Sequence, residues 1–107
     1  MSETIERPWG SYRVLYEHPG VKIKRLTLNP GAVIPYQFHE YHEEHWEVLT
    51  GGGKALIDGV IHSMVPGNVF HIPARKSHLI RASEECQLSF MEVQVALIVP
   101  GGDAVMV

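Results

Sequence analysis

Seven of the 107 residues are histidine, and His39, His42 and His45 crowd into one short segment with Gln37 and Glu44. Neutral imidazole is the commonest side-chain ligand for transition metals, and carboxylate or amide oxygens complete such sites. In an extended segment alternate side chains share a face, so Gln37 and His39 point the same way, about 7 Å apart along a strand. If the chain turns near His42 and Glu43 and returns as a second strand from Glu44, that carboxylate faces the same pocket. A fourth donor, His78, follows the turn-like stretch Pro73-Ala-Arg-Lys-Ser. The expected site is Gln37, His39, Glu44 and His78 around one divalent ion. Nitrogen and oxygen donors with open coordination positions suit Zn²⁺, Mn²⁺, Fe²⁺ or Co²⁺ and do not choose among them. A closed thiolate site is excluded, because Cys86 is the only cysteine.

Such convergence needs short strands packed face to face. Segments rich in Val, Ile, Leu, Tyr and Phe recur between Pro and Gly punctuation, the pattern of an all-β sandwich or barrel. Strands are expected near Tyr12 to Tyr16, Val21 to Leu28, Val33 to Tyr41, Glu44 to Leu49 and Lys54 to Ile57. Further ones are expected near Val60 to Met64, Val69 to Ile72, His78 to Ala82 and Gln87 to Gln94. Asp58-Gly59 is the strongest hairpin signal, since both central residues of a type I′ turn need positive φ. One stretch competes: Phe38, Tyr41, His45 and Val48 recur at helical steps with glutamates between them. Strands are preferred there because Pro35 precedes the stretch, Gly51 closes it and its neighbours alternate with period two.

With 45% hydrophobic and 20% charged residues, the chain has the balance of a folded globular protein, and its length suits one domain, 1–107. The net charge is −3 and the nine basic residues form no run, which argues against nucleic-acid binding. Met1 to Arg7 has no apolar signal core, and no apolar run approaches the roughly 20 residues that span a bilayer. No membrane partner and a cytoplasmic location are therefore expected. The stretch Val95 to Val107 is apolar apart from Asp103 and would cover a sheet edge or pack on a partner subunit, so a homodimer is expected.

Gly31, Gln37, His39, Glu44 and Gly51 stand at the spacing of the first cupin motif, with Gln in place of its first His. Gly67, Pro73 and His78 stand at the spacing of the second. More narrowly, Arg7-Pro-Trp-Gly-Ser-Tyr, Lys22-Ile-Lys-Arg-Leu-Thr-Leu-Asn-Pro-Gly, Glu44-His-Trp, Ile72-Pro-Ala and Glu92-Val-Gln resemble the type II phosphomannose isomerase cupin, over roughly Arg7 to Gln94. The resemblance implies a double-stranded β-helix, or jelly-roll barrel, and a domain often fused behind a mannose-1-phosphate guanylyltransferase. It also implies metal-dependent interconversion of an aldose and a ketose phosphate, of the mannose 6-phosphate and fructose 6-phosphate type. The chain departs from the family where Glu40, Tyr41 and His42 replace two histidines and an arginine, where Arg75 replaces a glycine, and where Ala82 replaces an asparagine.

On this reading the metal polarises the sugar oxygens at C1 and C2 while a base moves a proton between the two carbons. His42 or a metal-bound hydroxide is the candidate base, Tyr41 a substrate contact, and Arg75 or Lys24 the phosphate holder. Two other functions compete: a sugar- or small-ligand-binding cupin that kept the metal, favoured by the loss of the arginine, and a mononuclear Fe²⁺ oxygenase. Alternation turns His45 away from the pocket, and His71 reads as structural. Trp9 and Trp46 read as barrel wall. Cys86, beside Glu84 and Glu85, is a poor nucleophile. No Ser/His/Asp order, phosphate loop or dinucleotide fingerprint is present.

Overall fold

A computed structural model describes residues 3–96. The strands are β1 (Thr4–Arg7), β2 (Gly10–His18), β3 (Val21–Leu28), β4 (Val33–Gln37), β5 (His42–Gly51), β6 (Gly53–Ile57), β7 (Val60–Met64), β8 (Val69–Ile72), β9 (His78–Ala82) and β10 (Leu88–Ala96). They form a six-stranded sheet, β1-β2-β3-β10-β5-β8, and a four-stranded sheet, β4-β9-β6-β7, with every pairing antiparallel. Among the described residues no helix is long and apolar enough to cross a membrane. The stretch with competing helical periodicity is strand from His42 onward.

Period-two burial produces the sandwich. Along β5, His42, Glu44, Trp46 and Val48 are buried, while the residues between them face outward to varying depth. The buried faces meet in a core of Leu26, Leu28, Val48, Ile80, Leu88 and Phe90 around Trp46, which is 1% exposed. Trp46 packs with its ring centroid 5.5 Å from Phe90 and 6.3 Å from Phe70, and so is barrel wall as expected. Burying such a large ring is among the strongest single contributions to a small core. Asp58 and Gly59 both have positive φ, 49° and 81°, as a type I′ hairpin requires.

Two expectations need correction. The strand expected from Val33 to Tyr41 ends at Gln37, and the turn expected at His42 and Glu43 instead occupies residues 38–41. His42 is therefore a buried β5 residue, 1% exposed, because alternation carries it to the same inner face as Glu44. The short strand β1 was also missed, since TIER lacks the alternation of a half-buried strand; it is held by its register on β2, Thr4 to Arg13 through Arg7 to Gly10. Of the apolar C-terminal stretch, residues 97–107 lie outside the described residues.

Candidate metal centre

Strand pairing brings the distant donors together. Gln37 at the end of β4 is the direct cross-strand partner of His78 at the start of β9. On the opposite sheet Glu44 pairs with Gln94, and Trp46 with Glu92. His39 lies in the loop between β4 and β5, and its carbonyl accepts a 2.7 Å hydrogen bond from the Arg75 backbone N–H, which ties that loop to the one leading into His78.

Glu44 is the hub. Its Oε2 lies 3.1 Å from Nε2 of both His39 and His42, and its Oε1 accepts a 2.7 Å hydrogen bond from the Trp46 indole N–H. His78 Nε2 is 4.0 Å from the same Oε1. Burial alone would raise the Glu44 carboxyl, but hydrogen bonds from His39, His42 and Trp46 outweigh it and hold the group well below the usual carboxylate range. Glu44 is thus an anion inside the barrel. Burial pushes the His78 imidazole the other way, toward its neutral form, against the opposing charge of Glu44. His78 Nδ1 lies 3.3 Å from the Lys76 carbonyl, which can only accept, so Nδ1 carries the proton. Nε2 is left with a bare lone pair, buried and without a hydrogen-bond partner.

That bare nitrogen is the test of whether a metal fits. A buried polar atom without a partner is uncommon, and this one has the tautomer of a metal ligand with its outer nitrogen fixed by a carbonyl. One donor atom each from His39, Glu44 and His78 lies within 4.8 Å of the others. Gln37 Oε1 is 3.3 Å from His39 Nε2, at the exposed rim of the cluster. The donor set fits a divalent cation: one carboxylate, two imidazoles and an amide oxygen, a set that thiolate-seeking ions would not select.

The cluster opens into a cavity of about 270 Å³. Beside Glu44, the wall carries Glu92 and Gln94, and the Gln94 amide donates a 2.5 Å hydrogen bond to the Glu92 carboxyl. Burial first, and then the charge of Glu44, raise the Glu92 carboxyl to about 7, with Lys24 opposing. Lys24 and Arg7 also line the cavity and flank Tyr12: the Lys24 ammonium is 4.8 Å and the Arg7 guanidinium 5.2 Å from its ring centroid. Leu26, Ile34, Trp46 and Ile80 supply apolar walls. The cavity thus joins a cation-binding pole to a pole carrying two positive charges.

Not every expected residue reaches it. Lys24 does, whereas His42, Tyr41 and Arg75 are not among the cavity's lining residues. His42 sits behind the cluster, its ring stacked on His39 at 4.1 Å and its Nε2 against Glu44. Tyr41 and Arg75 are exposed. Arg7, Tyr12, Glu92 and Gln94 were given no role from the sequence. The segments that contain them were legible as family resemblance, but their chemistry becomes visible only when β2, β3 and β10 lie side by side.

The model of the mannose-6-phosphate isomerase C-terminal family matches residues 1–107. The chain belongs to that family. A mannose-1-phosphate guanylyltransferase of Escherichia coli K12 is 31% identical over 90 residues, which cover 84% of this chain and 19% of that protein. This family member therefore spans about a fifth of the length of the curated relatives it matches. The fold is that of the cupins. KdgF from a Halomonas species superposes with a TM-score of 0.82 at 19% identity, covering 88% of this chain and 87% of the other. An RmlC-like cupin from Shewanella frigidimarina gives 0.81 at 18% identity, covering 89% and 84%.

Proposed function

We propose that this cupin is a metal-dependent sugar-phosphate isomerase, interconverting an aldose and a ketose phosphate of the mannose 6-phosphate and fructose 6-phosphate type. The observation that carries the metal dependence is the unpartnered His78 Nε2 beside ionised Glu44 and His39 in the lining of the cavity. Family membership supplies the substrate class. His39, Glu44 and His78, with Gln37 at the rim, would hold one Zn²⁺, Mn²⁺, Fe²⁺ or Co²⁺. A divalent cation there supplies Lewis acidity toward adjacent sugar oxygens.

The chain's own groups do the rest. Lys24 and Arg7 meet the phosphate at the opposite pole, where charge-assisted hydrogen bonds fix its position. Glu92, held near neutral pH by burial, faces the same space and moves the proton between the two carbons. The sequence offered His42 for that step; its place behind Glu44 makes it a positioning residue that aims the carboxylate, and Tyr41 and Arg75 act at most at the rim. The protein works as a homodimer on a small-molecule substrate in the cytoplasm, as the sequence leads one to expect.

A second reading is favoured by one observation. The position where the family carries arginine is His42, whose side chain is spent on Glu44 and leaves the cavity without that cation. A sugar-binding cupin without turnover would look the same. Incubating metal-loaded protein with mannose 6-phosphate in D₂O separates the two: deuterium at C2 supports the isomerase, with Glu92→Gln abolishing exchange. Thermal stabilisation by the sugar without exchange, under every one of the four metals, refutes isomerisation and leaves the binding protein.

A further inference from the structure

Strand β5, which carries Glu44 on its inner face, carries a second cluster with β8 on its outer face. Alternation along β5 turns Glu44 inward and its neighbours Glu43 and His45 outward, and His71 on β8 is the direct cross-strand partner of His45. Glu43 Oε2 is 3.2 Å from His71 Nε2, and Glu43 Oε1 is 3.5 Å from His45 Nε2. The two imidazoles lie nearly parallel, 12° apart with centroids 4.6 Å from each other. Their three donor atoms all fall within 4.8 Å of one another.

These separations are those of a tetrahedral site before it closes. Metal-to-ligand distances of about 2.0–2.2 Å put ligand atoms roughly 3.4 Å apart, and each imidazole nitrogen already stands near that distance from one of the two Glu43 oxygens, His71 at 3.2 Å from Oε2 and His45 at 3.5 Å from Oε1. Rotation of the half-exposed rings and of the carboxylate brings one donor atom of each residue around a common ion. Two imidazoles and a carboxylate make a borderline-soft nitrogen and oxygen set, the composition that zinc accepts. The position at the edge of the six-stranded sheet leaves the remaining coordination to water.

We infer that Glu43, His45 and His71 form a second, surface-exposed site for Zn²⁺, back to back with the interior cluster across one sheet. Neither the cavity nor the proposed isomerisation uses these residues, so the site stands or falls independently of that reading. The test is a Zn²⁺ titration of the full chain after chelator treatment, followed by calorimetry and by the imidazole ¹⁵N shifts of His45 and His71. The wild type takes up two equivalents, and zinc moves both sets of shifts. His71→Ala, an exposed substitution that leaves the core intact, removes one equivalent, and Glu43→Gln weakens that site by more than about a hundredfold, beyond the roughly 10–100-fold that loss of an outer-shell partner costs. His78→Ala removes the other equivalent and leaves the His45 and His71 shifts responsive. If the wild type takes up a single equivalent that His71→Ala abolishes, the surface site is supported and the interior one refuted. Unchanged zinc uptake in His71→Ala, or imidazole shifts at His45 and His71 that ignore zinc, overturns the inference.

Discussion

Replacing Glu92 with glutamine should change how stability depends on pH in one window only. In the folded chain the Glu92 carboxyl is 6% exposed and titrates near 7, against 4.5 in the unfolded chain. The folded state therefore binds this proton more tightly. Its stabilisation is fully present below pH 4.5 and is lost as the pH rises through about 7. At about 1.4 kcal/mol per pH unit the whole loss is about 3 kcal/mol, a large part of the 5–15 kcal/mol that typically holds a domain together. Glu44 acts in the opposite sense and elsewhere: its depressed carboxyl contributes stability above its unfolded value of 4.5, and that contribution is lost as the pH falls. His78, depressed by burial, also favours higher pH, as the unfolded imidazole takes up a proton below 6.5. Subtracting the variant from the wild type removes both. Glu92→Gln keeps an oxygen for the Gln94 amide and loses only the titration. In urea denaturation of metal-stripped protein, the two should match near pH 4.5, and the variant should be more stable by about 3 kcal/mol above pH 7. A cation on Glu44 cancels part of the charge that raises Glu92, so adding metal should narrow the gap. Parallel wild-type and variant curves from pH 4.5 to 8 would refute the assignment of a neutral, buried Glu92.

Three other perturbations address the framework. Glu44→Ala strands the Trp46 indole and two imidazoles without their acceptor and should cost about 3 kcal/mol or more in urea titrations; Glu44→Gln, which keeps an oxygen for Trp46, should cost less. Gly51 and Gly59 both have positive φ, 83° and 81°, but a methyl group at Gly51 would run into the Gln87 carbonyl, while the space around Gly59 is open. Gly59→Ala should therefore cost only the left-handed strain, about 1 kcal/mol, and Gly51→Ala at least about twice that; equal melting temperatures would contradict the close approach. Arg75 holds φ at 67°, so Arg75→Gly should leave stability unchanged or raise it by up to about 1 kcal/mol, whereas Arg75→Val should lower it.

Much of the architecture was legible because it is written in local rules. Period-two alternation, Pro and Gly punctuation, and the positive-φ demand at Asp58-Gly59 depend only on near neighbours. All nine expected segments correspond to strands, four with the same bounds and five with ends displaced by up to four residues, and the Glu44 strand was recognised despite the helical spacing within it. The strand end at Gln37 was not legible, because Phe38 to Tyr41 has the residue types of a strand continuing. The break comes from the backbone bond between Arg75 and His39, made with a loop more than thirty residues away.

The sequence alone determined the all-β class, the inward direction of Glu44 and the outward direction of His45, since each follows from alternation along a single strand. It also carried the family resemblance on which the substrate class rests. Only the tertiary structure decided that Gln37 meets His78, that Lys24, Arg7 and Glu92 share one cavity with Glu44, and that His42 turns its side chain to the carboxylate rather than to a substrate. Those facts depend on which strands become neighbours. Register and burial across distant segments are properties of the packed sheets, and the charge state of Glu92 is set by a desolvation that no stretch of sequence contains.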